Sequence, residues 1–192
     1  MSSTKYRVVL IGNSFVGKTA LANRHTKKEK PVNYSETVGS AFVEYTEKID
    51  NEQVSIQLWD TAGQDKYRSL CPVYFRNVNA AILVYDVTDQ ASFDALQYWM
   101  NFFHETAGAE VPVFIVGNKI DLEDDIVVDV PMGQKFAQEH GCLFFSTSAE
   151  TGLNVEFLFQ KVAETVYHNT DQSVQKKNVI QETEPGSSSG CC

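Results

Sequence analysis

Residues Gly12, Asn13, Ser14, Phe15, Val16, Gly17, Lys18 and Thr19 follow the spacing Gly-x4-Gly-Lys-[Ser/Thr], after one apolar run and ahead of a segment of helical length. That order suits a polyphosphate. Backbone N–H groups of a glycine-rich turn and of the helix opening, with Ala20 next in line, surround the anion; Lys18 neutralises the outer phosphates, and the Thr19 hydroxyl is offered to Mg2+. The alternative is a glycine-rich turn without a ligand; chance alone gives such a match in about one chain per hundred of this length.

Further chemistry lies downstream. Trp59, Asp60, Thr61, Ala62, Gly63 and Gln64 end another apolar run, which would bring Asp60 to the carboxyl end of a strand, where ligands bind in open α/β sheets. There Asp60 would hold Mg2+ through a water, Gly63 would give an N–H to a γ-phosphate, and Gln64 would orient the attacking water. Asn118, Lys119, Ile120 and Asp121 close one later run, and Ser148, Ala149 and Glu150 follow another. Asp121 would accept two N–H bonds from a purine with N1–H and a 2-amino group, which guanine has and adenine lacks. Left unpaired against adenine, its charge would be penalised.

The elements that must position these groups alternate between short Val/Ile/Leu/Tyr-rich runs and helical-length segments, as in βαβ units with a mainly parallel sheet. Strands are expected at Lys5 to Ile11, Ala41 to Asp50, Gln53 to Asp60, Asn79 to Asp86, Val111 to Asn118 and Leu143 to Ser146. Only Asn51 and Glu52 separate the second and third, so these must form an antiparallel hairpin, leaving five parallel strands. A helix after Asn154 aligns Val155, Leu158, Phe159, Val162 and Val166. Gln90 to Glu105 forms another, with Phe93, Leu96, Met100 and Phe103, and Pro131 to Glu139 a shorter one stopped by Gly141. From about Thr170 the apolar period is lost, and a flexible tail over 170–192 is expected after a domain spanning 1–169.

Sixteen Lys plus Arg against twenty-five Asp plus Glu give the 192 residues a formal charge of −9, which argues against non-specific nucleic-acid binding. The N-terminal stretch lacks the features of a signal peptide, and the longest apolar runs fall short of a bilayer span, so a cytosolic setting is expected. Four cysteines, two of them the terminal Cys191 and Cys192, and four scattered histidines offer neither a disulfide framework nor metal-ligand spacing.

GNSFVGKT, TVG at Thr37 to Gly39, WDTAGQ, NKID and SAE, in this order and spacing, resemble the five nucleotide-contact motifs of Ras-like small GTPases. The terminal Cys191-Cys192 resembles the Rab branch, and SAF after TVG together with LCPVYFR resembles its endosomal, early-endocytic subgroup. The resemblance implies a P-loop NTPase G domain: an α/β fold with a six-stranded mainly parallel sheet, one antiparallel edge strand and five flanking helices. It implies GTP and GDP as substrate and product with Mg2+, and switch loops around Tyr34 and Thr37 and from Gly63 to about Phe75. Thr37 would hold Mg2+ through its hydroxyl and the γ-phosphate through its N–H, releasing both loops after hydrolysis. Phe42, Trp59 and Tyr74 match the aromatic positions that Rabs present to effectors, with core packing as the alternative role.

The same resemblance implies slow intrinsic GTP hydrolysis, about 10⁻⁴ to 10⁻³ per second for such enzymes, and about 10⁵-fold acceleration by a GTPase-activating protein. An exchange factor would reload the site. No polybasic stretch accompanies the tail, so geranylgeranylation of both terminal cysteines would anchor a monomer to the cytoplasmic face of intracellular membranes, endosomes among them, with a GDP-dissociation inhibitor and the prenylation machinery as partners. Three positions depart from the pattern. Lys30 stands where relatives usually carry a phenylalanine bracing the guanine; losing roughly 0.5–1.5 kcal/mol of aromatic contact implies faster spontaneous GDP release. Glu150 replaces the usual lysine beside the base, and Ser14 and Phe15 replace glycine or small residues near the γ-phosphate. These departures leave room for a GTP-binding scaffold that scarcely hydrolyses. A P-loop kinase of small metabolites is disfavoured by the shortage of arginines, which number only Arg7, Arg24, Arg68 and Arg76.

Overall fold

The computed structural model describes residues 5–30, 40–61 and 71–181. Six strands, β1 (Lys5–Ile11), β2 (Ser40–Ile49), β3 (Glu52–Thr61), β4 (Ala80–Asp86), β5 (Val113–Asn118) and β6 (Leu143–Thr147), form one sheet in the order β2-β3-β1-β4-β5-β6. Every pairing is parallel except β2 with β3, as the two-residue connection requires. The turn itself is Asp50-Asn51, one residue earlier than the sequence suggests, and both residues have positive φ, 47° and 68°. That is the backbone of a type I′ turn, whose twist matches that of the strands it joins.

Strand alternation divides the core. Val8 and Leu10 of β1 face one layer with Ile56, Leu58, Ile82 and Val84, while Val9 and Ile11 face the other with Ala81, Leu83 and Ile115. Over the first face lie α1 (Lys18–Lys27) and α6 (Val155–Gln181), whose Leu158, Phe159, Val162 and Val166 are buried as the helical spacing predicts. Over the second lie α2 (Cys71–Phe75), α3 (Gln90–Asp94), α4 (Leu96–Ala107) and α5 (Val130–Glu139). α3 and α4 are one helix with an offset at Ala95, where ψ relaxes to −9°, so five helices flank the sheet. The sequence shows no break here because its apolar stripe, Phe93 then Leu96, runs on across the offset.

The last helix starts after Asn154 as expected, with two features the sequence does not show. Asn154 precedes α6 and its carbonyl accepts from Leu158 N, but at φ 59° it is not in the extended conformation of a usual capping residue, and its side-chain amide donates to Ser146 O at 2.8 Å. α6 also continues to Gln181, past the loss of apolar period at Thr170. Residues 171–181 contain neither Gly nor Pro, so nothing intrinsic ends the helix where its packing face ends. Among the described residues, no helix is long and apolar enough to cross a membrane.

Asn51→Val places a β-branched residue in the left-handed region. It should lower unfolding stability by about 1–2 kcal/mol, read as a reduced urea midpoint with unchanged slope.

Candidate functional site

The carboxyl ends of β1, β3, β4, β5 and β6 carry the motif residues to one edge of the sheet, as the parallel topology demands. Backbone crowding explains the glycines. At Gly12, φ 132°, an added Cβ would lie 2.2 Å from Val84 O, so β4 passes directly against the turn. At Gly17, φ 99°, it would lie 2.3 Å from Asn118 Nδ2. α1 then opens with Leu21 N bonded to Gly17 O and with no acidic side chain in its first turn, which leaves the positive end of the helix for an anion.

Asn118, 1% exposed, joins three of the predicted segments. Its Nδ2 donates to Val16 O at 2.9 Å, while its Oδ1 accepts from Thr147 Oγ1 and from Ala149 N, each at 3.2 Å. Ser148 Oγ donates to Asp121 Oδ1 at 2.5 Å, orienting that carboxylate. Lys119 stands at φ 71° and its ammonium pairs with Asp86 Oδ2 at 2.5 Å. Asp86 in turn accepts from the backbone N and hydroxyl of Thr88. The sequence reading missed Asp86, although it ends β4 just as Asp60 lies near the end of β3.

At the phosphate side, Lys18 is buried to 6% exposure and its Nζ donates to Gly12 O at 2.9 Å and Asn13 O at 2.6 Å. Thr19 Oγ1 donates to Asp60 Oδ2 at 2.6 Å. The other carboxylate oxygen, Asp60 Oδ1, is buried without a hydrogen-bond partner, a costly arrangement for an anion unless a cation or water approaches. Burial raises the Asp60 pKa, opposed by the Thr19 hydrogen bond and the Lys18 charge. An orphaned carboxylate oxygen beside a hydroxyl, all-oxygen and hard, fits Mg2+. Asn13 is fastened from outside the motif, its Oδ1 accepting from Trp99 Nε1 of α4 at 2.8 Å. Sequence reasoning left Trp99 out because, 86 residues away, it looks only like core.

Ser14 is half-buried, and Phe15 is 59% exposed at φ 65°, a strained conformation for an aromatic residue. Phe42, Trp59 and Tyr74 come together: Phe42 stacks on Trp59 at 5.0 Å between centroids, and Trp59 lies 5.6 Å from Tyr74. Arg7 covers Trp59 at 5.0 Å. Phe42 is 51% exposed whereas Trp59 and Tyr74 are partly buried against the core, so the cluster both packs and shows a face. Lys30 and Glu150 form an ion pair at 3.7 Å. Tyr34, Thr37, Gly63, Gln64, Cys191 and Cys192 lie outside the described residues.

The arrangement can cradle a polyphosphate at α1 and hold a purine against Asp121, with Asn118 fixing the distance between the two. Comparison with known families agrees: the model of the Ras family matches residues 7–168.

Asp60→Asn removes the charge but not the shape. The Mg2+ concentration that half-slows nucleotide release should rise about 10–100-fold, measured by titrating Mg2+ into a GDP-release assay.

Proposed function

The chain belongs to the Ras family, and from that premise we propose that it works as a Rab-type switch of vesicle and membrane traffic, on the endocytic side. As a family member it is a small GTPase: it binds GTP and GDP, uses Mg2+, hydrolyses GTP, and is served by exchange factors and GTPase-activating proteins. The observation that carries the finer reading is the aromatic cluster. Phe42 follows segment 31–39 in the sequence and Tyr74 follows segment 62–70, so the cluster is built from residues that adjoin along the chain the two stretches that hold Thr37 and Gln64. An effector reading that face reads the nucleotide, because loss of the γ-phosphate releases both stretches.

In hydrolysis, bound Mg2+ supplies charge neutralisation at the phosphates. Lys18 does the same from the protein side, the backbone N–H groups of 12–20 orient the chain of phosphates, and Gln64 holds the attacking water. On this reading turnover alone is slow and a partner supplies the acceleration. Support for membrane work comes from the paired Cys191 and Cys192, which take two prenyl groups, since one lipid chain gives only marginal binding. The protein thus acts as a monomer on the cytoplasmic face of endosomal membranes, exchanging with the cytosol on a GDP-dissociation inhibitor after the prenylation machinery has modified it.

The direct test is GDP release with and without excess Mg2+, followed by phosphate release after GTP loading. Slow, Mg2+-sensitive release with slow, finite hydrolysis is expected. Absence of phosphate release even with an activating partner would favour the GTP-binding scaffold. Gln64→Leu should leave the protein mostly GTP-loaded and resistant to stimulation, whereas normal stimulated turnover would remove Gln64 from the reaction. Replacing Cys191 and Cys192 by Ser should move the protein from the membrane pellet to the soluble fraction.

A further inference from the structure

Three cations follow one another along the end of α1 and just beyond it, and each meets the stretch between β6 and the first turn of α6. Arg24 Nη2 donates to Thr151 O at 2.7 Å. Lys28 Nζ pairs with Glu156 Oε1 at 2.5 Å. Lys30 Nζ lies 3.7 Å from Glu150 Oε1. Beside the first rung Gly152 leaves room for the guanidinium, since a Cβ there would come within 2.8 Å of it. The floor of this seam is packed: His25, 4% exposed, stacks on Phe159 at 4.3 Å and lies 3.4 Å from Glu156. Above the floor the two elements stand apart around a solvent-open cavity of about 290 Å³, lined by Arg24, Lys28, Thr151, Gly152, Val155 and Glu156. Charge rather than apolar contact therefore spans the outer seam.

What the seam joins gives it a role. One side is the loop of Ser148 and Ala149, which is bonded to Asp121 and Asn118 on the base side of the site. The other side leads from Lys30 directly into segment 31–39, with Tyr34 and Thr37. The outermost rung is the one closest in sequence to both. Resting on the guanine-nucleotide reading, we infer that the Lys30–Glu150 pair is an electrostatic clasp that holds the stretch just after α1 to the loop after β6, the loop bonded to Asp121, and slows nucleotide release. Lys30 and Glu150 are positioning residues in this scheme, acting through the loops they join. Their side chains are 67% and 49% exposed, so dissolved salt reaches the pair and weakens it. An exposed pair of this kind is expected to change a rate by about 1.5- to 5-fold.

The experiment follows release of a fluorescent GDP from the full chain in saturating Mg2+ at low and high NaCl. It compares the unmodified protein with Lys30→Glu, Glu150→Lys, the double exchange, and the near-isosteric Glu150→Gln. For the unmodified protein, release should quicken about 1.5- to 5-fold with salt. Each charge reversal should quicken release at low salt by about as much or more, because the pair becomes repulsive. Glu150→Gln should quicken release less and flatten its salt dependence, and it keeps the clasp testable should a reversed variant fail to fold. The double exchange should return to within about twofold of the original rate and regain its salt dependence. Equal rates and equal salt dependence throughout, or single-variant effects that the exchange does not rescue, would overturn the clasp while leaving nucleotide binding intact. A protein that retains no GDP at any salt concentration would overturn the nucleotide reading itself.

Discussion

Asn118 turns both ends of its carboxamide to other segments: the amide nitrogen donates to Val16 O, and the oxygen accepts from Thr147 and Ala149. Because the group is rigid and planar and almost wholly buried, these three bonds fix the phosphate turn, the end of β5 and the loop after β6 relative to one another. The close approach of Asn118 to Gly17 explains why a side chain is not tolerated there. The sheet sets the strand ends side by side, and this group ties the loops that leave them. A ligand that spans the phosphate and base subsites must find them at a constant spacing, and preorganised spacing lowers the ordering cost of binding.

Much of this was legible in the sequence because the motifs are local and their chemistry is obligatory. Glycines at 12 and 17, Lys18 and Thr19 were singled out by spacing and Asp60 by its place at the end of a strand, and the five-plus-one sheet followed from connection lengths, since a two-residue link cannot make a parallel crossover. What escaped was non-local or backbone-borne. Trp99 reads as core until its indole N–H is seen on Asn13, and Asp86 reads as a turn residue until Lys119 is seen on it. Register of the hairpin turn slipped by one because Asp50 and Asn51 both tolerate positive φ, a property that Asn51 and Glu52 do not share equally. The extension of α6 to Gln181 was missed because apolar periodicity reports packing, and a helix can outlast its packing face.

The departures at Lys30 and Glu150 looked independent in the sequence, one a lost aromatic and the other a reversed charge. In the fold they are partners. The two positions carry opposite charges that attract each other, and a pair so exposed is one that salt can tune. Along the same seam, burial lowers the His25 pKa despite the neighbouring Glu156 carboxylate, so at neutral pH its ring serves as a neutral, stacked spacer beneath the charged rungs.

The two tryptophans of the chain stand at different stations of the molecule. Trp99 is buried with its indole N–H on the phosphate turn, and Trp59 lies in the aromatic cluster beneath the Arg7 guanidinium, its own Nε1 buried without a hydrogen-bond partner. The protein therefore carries two built-in fluorophores of unlike polarity, one tied to the nucleotide cradle and one to the outward face. In a variant that keeps only one of them, the emission reports on that station alone.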